Sequence, residues 1–279
     1  MSDQQRAARL RRGTSADVIA RHIRTDIESG KLAHQEQLRP TVELAAEWGV
    51  STATISRALA KLVDEGIVIS KARAARVVNY PATDTQLARS ARPRAIVIGG
   101  YAGSGKTELG RILARRTRWP ILDKDTLTRP VVEAALEKLG TSPHDRESET
   151  YLTVVRPGEY MALNAAMAEN LRCGVSVIVT APFIREMGDR AWCDRLRADV
   201  ESMGAALHVV WVRCDADSMH YYLRHRGAAR DTAKLADWEG YLSGVDLNFT
   251  PATEHHVIDN SVGARPLQEQ ADELVKEIA

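Results

Sequence analysis

The segment Gly100-Tyr101-Ala102-Gly103-Ser104-Gly105-Lys106-Thr107 is a full G-x-x-x-x-G-K-T pattern, and no other feature constrains this chain as strongly. The apolar run Ala95-Ile96-Val97-Ile98 leads into it, and a helical pattern from Glu108 to Arg115 leads out. That order of strand, glycine loop and helix is what a phosphate-cradling loop needs. Gly100, Gly103 and Gly105 permit a tight turn, so the N–H groups of the loop, those of Tyr101, Ala102 and Ser104 included, can converge on phosphate oxygens. The helix N-terminus adds its partial positive charge at the same spot. Lys106 can reach the β- and γ-phosphates, and the Thr107 hydroxyl can hold Mg²⁺. The pattern therefore calls for ATP or a close purine relative, with Mg²⁺.

Nearly a hundred residues precede this loop, and 279 residues suit about two domains. The charge is unevenly shared. Residues 1–92 carry 15 Lys/Arg against 10 Asp/Glu, whereas 93–279 carry 23 against 27. A basic head on a mildly acidic body suits a polyanionic partner for the head. No apolar stretch approaches the roughly 18 residues needed to span a bilayer. The first twelve residues are polar, with no apolar signal core, so a cytoplasmic protein without membrane contact is expected. Cys173, Cys193 and Cys214 are widely spaced, fit a reducing compartment and show no metal-ligand spacing.

The head reads as helices over 15–29, 41–48 and 52–65, with Gly49-Val50-Ser51 as a tight turn between the last two. Two short β-prone runs follow, 67–69 and 76–78, flanking the basic stretch Lys71-Ala72-Arg73. Helix, helix–turn–helix and a two-stranded wing make a winged helix, whose third helix would enter the major groove. Ser51, Thr52, Thr54, Ser56, Arg57 and Lys61 on that helix, with Lys71, Arg73 and Arg76 on the wing, are the candidate DNA contacts. The arm over 1–14, with Arg6, Arg9, Arg11 and Arg12, can track the DNA backbone.

The run from "Ile-Glu-Ser-Gly-Lys-Leu" through "Gln-Leu-Arg-Pro-Thr-Val-Glu-Leu-Ala-Ala-Glu-Trp-Gly-Val-Ser" to "Glu-Gly-Ile-Val" resembles the GntR-type winged-helix head of bacterial transcription regulators, over about 15–78. That resemblance implies DNA binding, by a dimer at a two-fold symmetric operator. The chain departs from the family at several usual arginines, where it has Val42, Thr52 and Ser56. Arg57 stands where an acidic residue is usual, and the wing tip reads Arg73-Ala74-Ala75 instead of a Gly-x-Gly. A different operator or a shifted docking is implied.

The polar stretch 81–93 reads as the linker between a winged-helix domain at 15–80 and a nucleotide domain at 94–279. Strands fit 95–99, 119–122, 175–181, 206–213 and 255–259; helices fit 106–117, 128–139, 157–172, 185–203, 215–225 and 266–278. Such alternation predicts an α/β domain, a mostly parallel sheet flanked by helices, with ligands at the carboxyl ends of the strands. Asp123-Lys124-Asp125 follows one of those strands, expected beside the phosphate loop. A carboxylate there, Asp123 or Asp125, can hold Mg²⁺ or take a proton from a substrate hydroxyl. Arg224-His225-Arg226-Gly227-Ala228-Ala229-Arg230 can form a flap that neutralises charge on a transferred phosphoryl group.

Together these clusters resemble the small-molecule P-loop kinases, zeta-toxin and chloramphenicol phosphotransferase-like proteins among them, over about 94–260. The resemblance implies Asp125 as catalytic base beside Lys106, Arg226 and Arg230. It also implies a lid at 224–230 with Arg224 on the nucleotide, and an adenine pocket near Asn260. Strand 175–181 ends without the usual metal-binding carboxylate, with Thr180 near its place. An acceptor pocket is expected within 128–160, drawing on Arg129, Arg156 and Tyr160. Three functions stand open: a transcription regulator that senses ATP, alone or with a small hydroxyl ligand; an active small-molecule kinase with an autoregulatory head; and a nucleotide-sugar kinase.

Overall fold

The computed structural model describes residues 15–71, 76–80, 92–228 and 231–278. The N-terminal arm with its arginines, Arg73 at the wing tip, most of the expected linker, and Arg230 lie outside the described residues. By contacts the chain divides into two compact units, 1–90 and 91–279.

In the first unit, helices α1 (Ala16–Glu28), α2 (Thr41–Trp48) and α3 (Thr52–Asp64) are followed by strands β1 (Val68–Ser70) and β2 (Arg76–Val78). Ser15 caps α1 through Val18 N–H, and Ser51 caps α3 through Thr54 N–H. Gly49, at φ 63°, ends α2 in the left-handed conformation that makes the tight turn into α3. Isoleucines and leucines at helical spacing (Ile19, Ile23, Ile27, Ile55, Leu59, Leu62) meet Val68 and Val78 in one core. Thr41 begins α2 but does not cap it; Pro40 holds the cap position, and the Thr41 hydroxyl accepts from Arg76 at 3.1 Å. The segment before α2 also lies along β2. Leu38 N–H donates to Arg76 O at 2.8 Å and Gln35 N–H to Val78 O at 2.9 Å, so the wing has a third edge that its pattern did not announce.

The second unit is a five-stranded parallel sheet in the order β4-β5-β3-β6-β7. Its strands are β3 (Arg94–Gly99), β4 (Ile121–Asp123), β5 (Val177–Thr180), β6 (Ala206–Arg213) and β7 (His256–Asp259). The near-continuous apolar runs of β3, β5 and β6 are what a sheet covered on both faces requires. One face packs on Leu163, Met167, Leu171 and Leu196, the other on Leu109, Leu113, Leu274 and Ile278. These side chains belong to α4 (Lys106–Thr117), α6 (Arg156–Arg172), α8 (Arg190–Ser202) and α12 (Leu267–Ile278). Helix α5 (Lys124–Lys138) starts a full turn before its expected start at 128, because Asp123 caps it through Thr126 N–H at 2.9 Å. The helix expected over 185–203 is two, α7 (Ile184–Gly188) and α8, broken where Asp189 is extended and caps α8. Helices α9 (Ala216–Arg226), α10 (Thr232–Ala236) and α11 (Trp238–Ser243) precede β7. The two short ones were not expected from sequence. No helix among the described residues is long and apolar enough to cross a membrane.

Candidate nucleotide, acceptor and DNA sites

The glycine loop joins β3 to α4 at the carboxyl edge of the sheet. Gly103 and Gly105 sit at φ 84° and 91°, and a Cβ on Gly105 would lie 2.2 Å from the Asn260 amide nitrogen. Both positions require glycine, since a side chain would be strained there, and at Gly103 it would run into Leu223 and Met219 O at 2.9 Å. Asn260 in turn donates to Ser104 O at 3.1 Å, tying the end of β7 to the loop. The Ser104 hydroxyl is buried with no hydrogen-bond partner among the described residues. Lys106 Nζ donates to Tyr101 O at 3.2 Å. The loop also anchors a later segment: the Tyr101 hydroxyl accepts from Asp246 N–H at 3.1 Å, and its ring stands edge-on to Trp211 and Phe249.

Strand β4 is not beside the loop strand, as its sequence position suggested. Strand β5 lies between them, and Asp123 pairs in register with Thr180. The carboxylate still reaches the site. Asp123 Oδ2 accepts from Thr180 at 2.7 Å and from Thr107 at 3.0 Å, while Oδ1 caps α5. The acidic group missing at the end of β5 is thus supplied by the neighbouring strand, with the Thr180 hydroxyl bonded to it. A hydroxyl and a carboxylate oxygen fixed side by side at the loop make a donor set that fits Mg²⁺.

Two chambers flank the loop. The first, 860 Å³, is lined by Gly103, Gly105, Lys106, Thr107, Asn260 and residues the motif did not indicate, notably Arg111, Tyr222 and Arg265. The second, 560 Å³, is lined by Tyr101, Ala102, Asp125, Arg156 and Tyr160, and again by residues that the sequence reading missed, Arg146 and Arg185 among them. Lys106 and Arg226 line both. Arg226 is held by buried Asp231, which accepts from its Nε at 2.9 Å. Two expected members are elsewhere. Arg129 is exposed on α5 and lines neither chamber, because its neighbour Thr128 takes the buried face. Arg224 lies with Asp217, His220 and Tyr221 in a separate shallow hollow on α9.

Asp125 lies in the first turn of α5, where the helix dipole favours a carboxylate. Beneath it is a buried ionic knot. Lys124 Nζ donates to Glu159 Oε1 at 2.8 Å and lies 3.1 Å from Asp125. Thr128 donates to the same Glu159 oxygen at 2.7 Å, and Tyr151 to the other at 2.7 Å. Burial, then the Glu159 charge, pushes the Tyr151 phenol far above its usual range, so it stays a donor. Tyr160 is pushed up mainly by burial, then by Glu186. Arg156 stacks over Tyr160 at 4.2 Å and donates to Glu186 at 2.6 Å.

In the first unit, Thr52, Arg57 and Lys61 are exposed on α3, and Thr54 and Ser56 are half-buried. Ser51 and Thr54 are bonded to each other at 2.9 Å as part of the cap, and Lys61 pairs with Asp17. Lys71 donates to Gln35 at 3.0 Å. Arg57 is therefore the cation on α3 that holds no ion pair among the described residues.

Residues 15–78 match the family described as "Bacterial regulatory proteins, gntR family", and residues 96–247 match the family described as "AAA domain". None of the curated proteins matches the chain. Among solved structures, a putative kinase from Chloroflexus aurantiacus is 22% identical over 66% of this chain and 98% of that chain, with a TM-score of 0.49. A sugar kinase from Janibacter sp. HTCC2649 is 18% identical over 67% and 94%, at 0.45. A gluconokinase from Sinorhizobium meliloti is 19% identical over 67% and 95%, at 0.43.

Proposed function

Because the chain belongs to the AAA domain family through residues 96–247, just over half its length, and carries a gntR-family region at 15–78, we propose that it is a DNA-binding transcription regulator whose second domain binds ATP and a small hydroxyl compound together. One observation carries the two-ligand reading: separate chambers meet at Lys106 and Arg226. A triphosphate seated on the loop from the first chamber would present its terminal phosphate at the second. Thr107 and Asp123 would hold Mg²⁺, which supplies charge neutralisation on the phosphate oxygens when bound. Ligand binding changes the operator affinity only by its differential affinity for two states of the protein. The head acts as a cytoplasmic homodimer on a two-fold symmetric site. Footprinting with and without ATP tests this: a discrete footprint whose affinity changes with ATP supports it, and uniform binding to all DNA sinks it. Arg57→Ala should weaken the specific complex by about 1–3 kcal/mol.

A second reading, phosphoryl transfer, is favoured by the place of Asp125. It lines the acceptor chamber together with Lys106. As the terminal phosphorus–oxygen bond of ATP breaks and the acceptor oxygen bonds to phosphorus, Asp125 would take the hydroxyl proton. Lys106 and Arg226 would offset the charge on the moving group. Transfer of radiolabelled phosphate in an acceptor screen, lost in Asp125→Asn, is the test.

A further inference from the structure

Resting on the two-chamber reading, we infer that the second chamber selects a hydroxyl compound bearing an anionic group, a carboxylate or a phosphate, held by Arg146 and Arg185. The ledger of charges in the chamber points there. Its lining carboxylates are Asp125, Glu147 and Asp231. Each already faces a lining cation: Lys124 at 3.1 Å, shared with buried Glu159 at 2.8 Å, Lys234 at 2.9 Å and Arg226 at 2.9 Å respectively. Arg156 is matched by Glu186 at 2.6 Å. Lys106 belongs to the phosphate loop, and of the other lining cations Arg146 and Arg185 remain; neither forms an ion pair among the described residues. Arg146 directs one guanidinium nitrogen to two carbonyls, Pro143 O at 2.9 Å and Asp145 O at 2.7 Å, and stands over the Tyr151 ring at 5.3 Å.

The backbone around Arg185 is shaped for its position. Phe183, fully buried, adopts φ 51° and ψ 21°, a left-handed conformation costly for a bulky side chain. That turn ends the run from β5 and starts α7, so that Ile184 and Arg185 line the chamber. Strain of this kind persists only where the surroundings over-determine it, and it concentrates at ligand-holding segments. A guanidinium fork matches a carboxylate or a phosphate in two parallel hydrogen bonds. A neutral polyol in the same place would leave both guanidinium groups without a carboxylate partner. The chamber's 560 Å³ suits a small metabolite-sized ligand. The α10–α11 segment, whose Lys234 and Tyr241 also line it, covers the chamber, and a shielded site strengthens such a contact.

The test uses the full chain in two forms: saturated with a non-hydrolysable ATP analogue, and as Lys106→Ala, in which phosphate binding to the loop is weakened. Inorganic phosphate, acetate and glycerol are titrated calorimetrically into each. Phosphate or acetate should bind in both forms and glycerol in neither, and whichever anion binds tells which group the ligand carries. Arg185→Gln and Arg146→Gln should each weaken the anion by about tenfold or more, with Arg185→Lys partly restoring it. Equal binding of glycerol, no anion binding, or anion binding unmoved by these substitutions overturns the inference. Failure of the analogue to load the unmodified chain overturns the two-chamber reading instead, and the Lys106→Ala arm still decides the anion site.

Discussion

The two chambers that meet at Lys106 and Arg226 are built in opposite ways. The first centres on main chain: glycines at positive φ, a helix N-terminus, and one amide from Asn260 tying the loop down, with Arg111, Tyr222 and Arg265 along its walls. The second is made of side chains. Asp125, Arg146, Arg156, Arg185 and Lys234 reach it from five different segments. A main-chain site tolerates little change in residue type but writes itself into a short motif. A side-chain site is chemically adjustable, since each charge can be exchanged without refolding a loop, yet it leaves no contiguous trace. A domain with both can keep one ligand fixed and vary the other.

The largest expected effect breaks the comparison on the side-chain side. Under the phosphoryl-transfer reading, Asp125→Asn should lower turnover by about 10²–10⁴-fold while nucleotide affinity stays within a few-fold. Single-turnover kinetics beside equilibrium nucleotide titration read both. Transfer that survives the substitution would leave the chamber a sensor pocket only. Next is Glu159→Gln. Glu159 is 3% exposed and holds Lys124, Thr128 and Tyr151. Asp125 stays 3.1 Å from Lys124, so the cost in urea unfolding should fall at the lower end for a broken buried pair, about 3 kcal/mol. A loss below about 1 kcal/mol would mean that the knot is as replaceable as a surface pair.

Smaller again is Lys106→Ala. Removing one charge-assisted contact should weaken ATP by about 1.5–3 kcal/mol. The main-chain donors remain, so residual binding is expected, and its size measures how much the loop does without its lysine. Complete loss would show that the first chamber also depends on a side chain, and would blur the contrast.

That contrast explains what the sequence disclosed. Residues 100–107 could be read outright because their conformation is local. Asp123 and Asp125 were legible as a pair, but the contacts that set them apart were not. Asp123 lies opposite Thr180 across strands far apart in sequence. The Lys124–Glu159 bond joins residues 35 apart, and nothing in the spacing marks it. Arg185 was hidden because a helix pattern running over 185–203 masks the break at Asp189 and the left-handed Phe183 before it. Arg129 is the complementary case: a cation near the right segment, rotated to the outside of α5. In the head, core periodicity gave all three helices, while the third edge of the wing rests on main-chain bonds from 35–38 that carry no apolar signature.

The smallest effect concerns neither chamber but the sheet that carries both. His208 on β6 is half-buried, and its ring lies 6.1 Å from that of His256. Burial first, then His256 and Arg94, lowers its pKa below the usual histidine value, with Glu277 opposing. A lowered folded-state pKa means that the unfolded chain binds the proton more readily. Its stability contribution is therefore complete above the unfolded value of about 6.5, and is lost as pH falls from there through the folded value. Urea midpoints of the full chain should decline over that window, and His208→Gln should flatten the decline without moving the midpoint at pH 8. Both chambers stand on the same strands, so nucleotide and anion affinities, measured over the same window, should weaken only where the sheet itself begins to open. If anion affinity alone changed with pH beyond what the anion's own ionisation explains, while the midpoint held, the titrating group would lie in the second chamber, and its side-chain construction would be the more sensitive part of the site.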